Sequence, residues 1–241
     1  MRAILTWHSI DSSGSPISVS PEEFRSQLDW LARDAVRVVP LSELLALPPE
    51  ADAATLTFDD GFANVATEAV PALEERGWAA CLFVVTAQVG GRAEWPGGQL
   101  VPGLPLLDWE SLGLLMSRGF EVGSHSRRHP RLPACVDPVL ENELAGSAEE
   151  ISGRLGRRPE AFAYPYGAFD ARSSAAVAAA YRWGCTTELR RLGPADSAAR
   201  LPRIDAWYLR GRALERRWGS SSLRRWLRWR RALRAIRRAA V

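Results

Sequence analysis

A chain of 241 residues, 46% hydrophobic and 24% charged, can bury a full core as one barrel-type domain or two small ones. No apolar run reaches the roughly eighteen residues that a membrane-crossing helix needs, and "MRAILTWHSI" is too briefly apolar for a secretory signal. The net charge of +3 hides an asymmetry: residues 209–241 hold twelve arginines and one glutamate, a net +11, which leaves −8 on the first 208 residues.

In chain order, "RAILTW" (2–7) reads as a strand. Ser20-Pro21-Glu22-Glu23 supplies an N-cap, a proline at the first helical position and a capping-box glutamate, with Phe24, Leu28 and Leu31 following at helical spacing. "VRVV" (36–39) and "AATLTF" (53–58) read as strands. A helix from about Asn64 to Gly77 should bend at Pro71. "WAACLFVV" (78–85) is the longest apolar strand run. Residues 90–107, rich in Gly and Pro, read as a long loop of the kind that is usually functional or mobile. Asp108 caps a helix ending near Gly119, and "FEVGS" (120–124) is the next strand. Asp137-Pro138 opens a helix closing at Gly156, "AFAY" (161–164) is a strand, and Asp170 caps an alanine-rich helix. "RWGCTT" (182–187) and "LPRIDAW" (201–207) complete the series. Strands alternating with helices predict parallel βαβ units, hence an α/β fold: an irregular (β/α) barrel of about seven strands, with an open doubly wound sheet as the alternative. The domain boundary is expected at 208/209, with 209–241 a basic helical tail. Cys81, Cys135 and Cys185 are an odd number without metal-ligand spacing and read as buried reduced thiols, in keeping with a reducing cytoplasm.

The polar residues that could do chemistry gather at strand ends. His8 follows the first strand, Asp59 and Asp60 follow "AATLTF", His125 and His129 follow "FEVGS", and "YPYG" (164–167) follows "AFA". The C-terminal strand edge is where parallel α/β folds assemble their active sites, and scattered structural histidines would have no reason to keep to it. Asp60 with His125 and His129 makes a carboxylate and two imidazoles able to hold a divalent metal with positions left open for water. Asp59 can then serve as general base, and His8, able to carry a proton near neutral pH, as general acid. After Pro165, a backbone N–H of Tyr166 or Gly167 turned toward the pocket could stabilise an oxyanion.

"TFDDG", "SHSRRHP" and "FAYPYG", in this order and spacing, resemble the polysaccharide deacetylases with the NodB homology domain, over roughly residues 2–208. "LTWHSI", "LLDWESL" and "LPRI" are similar to the circularly permuted exopolysaccharide-biosynthesis subgroup, in which the acid histidine stands near the N-terminus. The resemblance implies a divalent metal, most often zinc, on Asp60, His125 and His129, with Asp59 as base, His8 as acid and the Tyr166 amide on the oxyanion. It implies removal of acetyl groups from an N-acetylated glycan. Many relatives carry an arginine where this chain has Ala163, and Arg203 of "LPRI" is expected to take over its contact with the base. Trp95 could stack on a sugar face; Trp109, at a helix start, reads more as packing. Another C–N hydrolysis on the same barrel, and an inactive glycan-binding scaffold, are the alternatives.

"SLRRWLRWRRALRAIRRAAV" (222–241) is amphipathic if helical, with Trp226, Trp229, Leu233, Ile236 and Ala240 on one side. Three readings stay open: an anchor on an anionic membrane surface, a helix packed on the acidic barrel, and a nucleic-acid contact, the least favoured of the three. The chain is accordingly expected in the cytoplasm, peripheral at the inner membrane face.

Overall fold

The computed structural model describes residues 1–95 and 103–239. Its ten strands are β1 (Arg2–Trp7), β2 (Ser9–Ile10), β3 (Ser18–Val19), β4 (Arg37–Val38), β5 (Ala53–Phe58), β6 (Cys81–Val84), β7 (Glu121–Ser124), β8 (Ala161–Ala163), β9 (Trp183–Cys185) and β10 (Ile204–Asp205). The eight α-helices are α1 (Pro21–Arg33), α2 (Leu41–Ala46), α3 (Val70–Glu74), α4 (Trp109–Ser117), α5 (Asp137–Glu141), α6 (Ser147–Leu155), α7 (Ala171–Ala180) and α8 (Ser221–Ala239). The sheet is all parallel and runs β10-β1-β5-β6-β7-β8-β9, with β4 paired to the first half of β5. Cys185 at the end of β9 bridges Leu201, and three residues later β10 pairs with β1, so the segment 201–205 joins the two ends of the curved sheet. This is the α/β, (β/α) barrel-type architecture that the strand–helix alternation predicts.

Local chemistry explains most element boundaries. Ser20 caps α1 with the full capping box to Glu23, Asp108 caps α4, and Asp170 caps α7. Gly156 ends α6 in the left-handed conformation. Pro71 has no N–H to give the preceding turn, and Val65–Ala69 widens there into a π-turn before α3. The helix from Asp137 likewise contains a π-turn at Asn142–Gly146. Residues 90–107 are less loop-like than their composition implies. The two limbs are laced by Ala93 N–H to Leu104 O and Leu106 N–H to Gly91 O, both 3.0 Å, while residues 96–102 lie outside the described part.

Strand residues alternate between two apolar layers, as the period of two requires. Leu5, Trp7, Leu56, Phe58, Leu82 and Val84 pack against the helices. Ile4, Cys81, Phe83, Ala161, Ala163 and Cys185 face inward, and all three cysteines are buried and unpaired. Beyond residue 208 the chain stays on the barrel: Gln27 donates to the carbonyls of Ala206 and Leu209, Trp30 to that of Arg216, and Trp218 to that of Met1. Helix α8 follows, packing through Leu223 and Leu227. The single apolar stripe expected for it is divided. Trp226 is half-buried, Trp229 and Ile236 are exposed, and Ala240 lies outside the described residues.

Candidate active site

Continuing the inward-facing alternation past the strand ends carries His8 beyond Thr6, Asp59 beyond Thr57 and His125 beyond Gly123, so backbone periodicity aims three chemistry-bearing side chains into the mouth. His8 and Asp59 follow the paired residues Trp7 and Phe58, and His8 Nε2 stands 3.8 Å from Asp59 Oδ2. Arg203, with no exposed surface, rises inside the barrel and grips Asp59 at both oxygens: Nη1 to Oδ1 at 2.7 Å and Nη2 to Oδ2 at 2.6 Å. The contact expected of Arg203 is thus formed. Its Nε donates to the Thr186 carbonyl, 3.0 Å, which fixes the guanidinium plane. Burial, the largest single influence, would raise the Asp59 pKa, but the Arg203 charge and hydrogen bonds together with His125 and His8 outweigh it and hold the carboxyl well below the ordinary carboxylate range.

Asp60 turns away from its neighbour because its φ is 71°, with Gly61 following at 78°. Its Oδ1 lies 3.4 Å from His125 Nε2 and 3.6 Å from His129 Nε2, and the two imidazole nitrogens are 3.1 Å apart. All three residues are buried. His125 Nδ1 donates to the Ala163 carbonyl at 2.7 Å, which leaves Nε2 as a lone pair aimed into the cluster. Asp60 Oδ1 is buried with no hydrogen-bond partner. A carboxylate oxygen and imidazole lone pairs converging without a donor repel one another unless a cation sits among them. Tetrahedral ligation at about 2.0–2.1 Å puts ligand atoms about 3.3 Å apart, which the three separations bracket. The donor set therefore fits a divalent metal. Without one, burial raises the Asp60 pKa and depresses that of His129 well below the ordinary histidine value.

The support for this cluster is less visible in the sequence. Glu143, 2% exposed in the π-turn after α5, accepts through Oε2 from the backbone N–H groups of Arg127 and Arg128, both at 2.8 Å. Glu150 on α6 pairs with the Arg127 side chain at 2.8 Å and with Thr86 Oγ1. Ser126 Oγ accepts from His129 N–H at 2.9 Å. Across the mouth, Leu107 N–H donates to the Gly61 carbonyl and Ala63 N–H to that of Pro105, both 2.9 Å, tying the Asp60 turn to the end of the 90–107 segment. Of the five non-glycine residues with positive φ among those described, four belong to the site: Asp60, Ser126, His129 and Tyr166. Such backbone persists only where its surroundings over-determine it. Glu143→Ala, which removes the acceptor from two loop N–H groups, is expected to weaken metal binding by about 10–100-fold, read by competition with a chelator of known affinity.

Pro165 is buried and starts the turn in which Tyr166 takes φ 58°. The Gly167 N–H donates to the Tyr164 carbonyl at 2.8 Å, so of the two amides considered for the oxyanion, that of Gly167 is already committed. Gly167 is required for another reason: at φ 65°, a Cβ would come within 2.0 Å of Thr187 Oγ1. The Tyr166 ring meets His129 edge-on at 4.5 Å, and the Arg131 guanidinium lies 4.5 Å over it. Trp95, 7% exposed, also packs on His129, with ring centroids 4.7 Å apart. Trp109 is half-buried against the core, in keeping with a packing role.

With the geometry in hand, three likenesses bear on identity. YxkH of Bacillus subtilis, provisionally named a polysaccharide deacetylase, is 25% identical over 191 residues, which are 77% of this chain and 64% of that protein; this chain thus spans just under two thirds of that relative's length. The solved structure of IcaB from Ammonifex degensii superposes with a TM-score of 0.73 at 24% identity, covering 86% of this chain and 93% of its own. That of the Streptococcus pyogenes deacetylase PplD, in complex with acetate, gives 0.76 at 20% identity over 90% and 98%. At these identities the two structures speak for a shared fold. The sequence model of the polysaccharide deacetylases matches residues 46–184, which carry the Asp59-Asp60 doublet, both loop histidines and the Pro165 turn. The chain belongs to the polysaccharide deacetylase family.

Proposed function

We propose that this chain is a divalent-metal-dependent hydrolase that removes acetyl groups from N-acetylated sugars of an oligo- or polysaccharide. One observation carries the reading: the buried Asp60 oxygen has no donor and stands between two imidazole nitrogens, one residue from a second carboxylate locked to an arginine. Zinc is the ion that a two-histidine, one-carboxylate set most often serves in hydrolysis. When bound, such an ion supplies Lewis acidity that polarises the acetyl carbonyl and acidifies water.

In this reading the protein's own groups divide the remaining work. Asp59 takes the proton of the attacking water. Its clamp by Arg203 keeps it ionised and oriented at the cost of basicity, a cost that the acidity a bound ion would lend to water would offset. His8, just past the end of the neighbouring strand β1 and 23% exposed at its side chain, gives a proton to the departing amine nitrogen. The Tyr166 amide, on a left-handed turn beside His129, stabilises the oxyanion. Trp95, almost wholly buried against the His129 ring, fixes that ring and offers a sugar little of the face that stacking would need.

The test is acetate release from N-acetylglucosamine oligomers and from an O-acetylated sugar, before and after stripping with a chelator and after return of Zn²⁺. The expected result is release from the N-acetyl substrate that falls at least about 100-fold on stripping and returns with metal. Acetate release indifferent to chelation would remove the metal from the mechanism. A metal-replete protein inert on both substrates would remove the hydrolase reading.

A further inference from the structure

Helix α8 runs along the barrel wall from its closed end to its mouth. At the foot, Gly219 lies against Met1 and Asp52, where β1 and β5 begin. Higher up, Arg234 donates through Nη1 to the Thr187 carbonyl at 2.9 Å, just past the end of β9. Thr187 fills the space beside Gly167, and the adjoining Tyr166 packs on His129. The fourteen residues from Ser221 to Arg234 rise about 20 Å, enough to climb the strands of a barrel. The upper end of α8 therefore stands at the rim of the mouth that holds Asp60, His125 and His129.

The surface of this helix is divided lengthwise. Leu223 and Leu227 are buried against the barrel, and Arg230 lies over the rings of Tyr208 and Trp226 at 5.1 and 5.2 Å. On one flank Arg224, Arg225, Arg228 and Arg231 look across an open cleft of ≈ 570 Å³ toward Arg191. No carboxylate lines that cleft. Among the described residues none of these guanidinia makes an ion pair, whereas Arg190 on the same wall is spoken for by Glu188 and Asp196. On the opposite flank Trp229 and Ile236 are 51% and 66% exposed.

We infer that the outer face of α8 docks on an anionic phospholipid bilayer and holds the rim of the catalytic mouth at its surface, so that the glycan is deacetylated while held at the membrane; the substrate part of this inference rests on the deacetylase reading. Three physical arguments select that occupant. Unpaired guanidinia bind phosphate oxygens in bidentate fashion, and a lipid surface offers them as an array. An aromatic and an aliphatic side chain standing in water beside those arginines match the interfacial mode, in which a helix lies in the headgroup plane. No helix among the described residues is long and apolar enough to cross a membrane, which agrees with lying on the surface. Charge then sets orientation: the first 208 residues carry −8 and are repelled by an anionic surface, while residues 209–241 carry +11, so the α8 side leads. Nucleic acid would use the arginines equally but gains little from Ile236.

The experiment uses the full chain and three vesicle types: neutral phosphatidylcholine, the same with about one third phosphatidylglycerol, and the anionic mixture carrying a lipid-anchored N-acetylglucosamine. Sedimentation is expected with anionic vesicles and not with neutral ones. Arg225→Glu/Arg228→Glu/Arg231→Glu should lower binding at least 10-fold, and Trp229→Ser/Ile236→Ser should lower it as well while sparing the initial electrostatic contact. Both variants should release acetate from soluble oligomers at the wild-type rate, and the charge-reversed one should lose at least 10-fold on the lipid-anchored sugar. Equal sedimentation of wild type and charge-reversed protein overturns the docking surface. So does arginine-dependent binding to a single-stranded oligonucleotide in the absence of binding to anionic vesicles. Docking without any preference for the lipid-anchored sugar overturns the placement of the mouth at the membrane surface. A wild type inactive even on soluble oligomers, yet docking as expected, would instead count against the deacetylase reading and leave the docking surface standing.

Discussion

His125→Ala is expected to abolish metal binding at the candidate site and to lower kcat/KM on an N-acetylated oligosaccharide by far more than 100-fold. The ring does two things at once. Its Nε2 is one of the three grouped atoms able to hold an ion, and its Nδ1 is fixed by the Ala163 carbonyl at 2.7 Å, which sets the tautomer. Loss of a partner behind a ligand already costs about 10–100-fold in affinity, so loss of the ligand itself must exceed that. Stability supplies an independent readout. At metal concentrations about 100 times Kd, a site present only in the folded state adds about 2.7 kcal/mol, so wild-type protein should melt at a higher temperature when metal is added and the variant should not. In metal-free buffer the two should melt close together, because removing His125 also removes the 3.1 Å approach of two imidazole nitrogens. A variant that keeps full metal content and its metal-induced shift would take His125 out of the site.

How far the sequence reveals such a site depends on which forces place each residue. His8, Asp59 and His125 are legible because a strand period of two decides where they point, and that period is written locally. Arg203 was accessible to reasoning for a different reason. The family resemblance implies an arginine beside the base where this chain has Ala163, and "LPRI" offers one near the same edge. Glu143 is the opposite case. It lies fourteen residues beyond His129 in a helix, and only the packing of the π-turn after α5 against the histidine loop brings its carboxylate onto two loop amides. The positive φ angles at Asp60, Ser126, His129 and Tyr166 are equally hidden, because none of these residue types demands them and tertiary contacts impose them. In α8, amphipathicity announced an apolar side but not its cover. Leu223 and Leu227 turned out to be the residues buried on the barrel, and Trp229 and Ile236 those left in water.

The Asp59–Arg203 pair offers the second large effect, and it separates catalysis from folding. Asp59→Asn keeps the size of the side chain and leaves Asp60, His125 and His129 in place, so metal content should stay at the wild-type level. Turnover should fall by about 10²–10⁴-fold, the range that general-base assistance contributes. The substitution also leaves a fully buried guanidinium without its counter-charge, which costs about 3–5 kcal/mol and could by itself depress activity through unfolding. Arg203→Met in the same chain addresses this directly, since a long apolar side chain beside the Phe83 ring needs no counter-charge. The double variant should recover most of the lost stability and none of the lost turnover, measured by denaturant melts and by acetate release on metal-loaded protein. The acid limb of stability carries the same signature. Because the folded-state pKa of Asp59 is depressed, the pair stabilises the native state at neutral pH, and that contribution disappears as pH falls below the ordinary carboxylate range; the double variant should lack this acid-dependent loss. If the double variant regained activity along with stability, Asp59 would be a structural partner of Arg203 and the proton would have to go elsewhere, with His8, 3.8 Å away, a group able to take it.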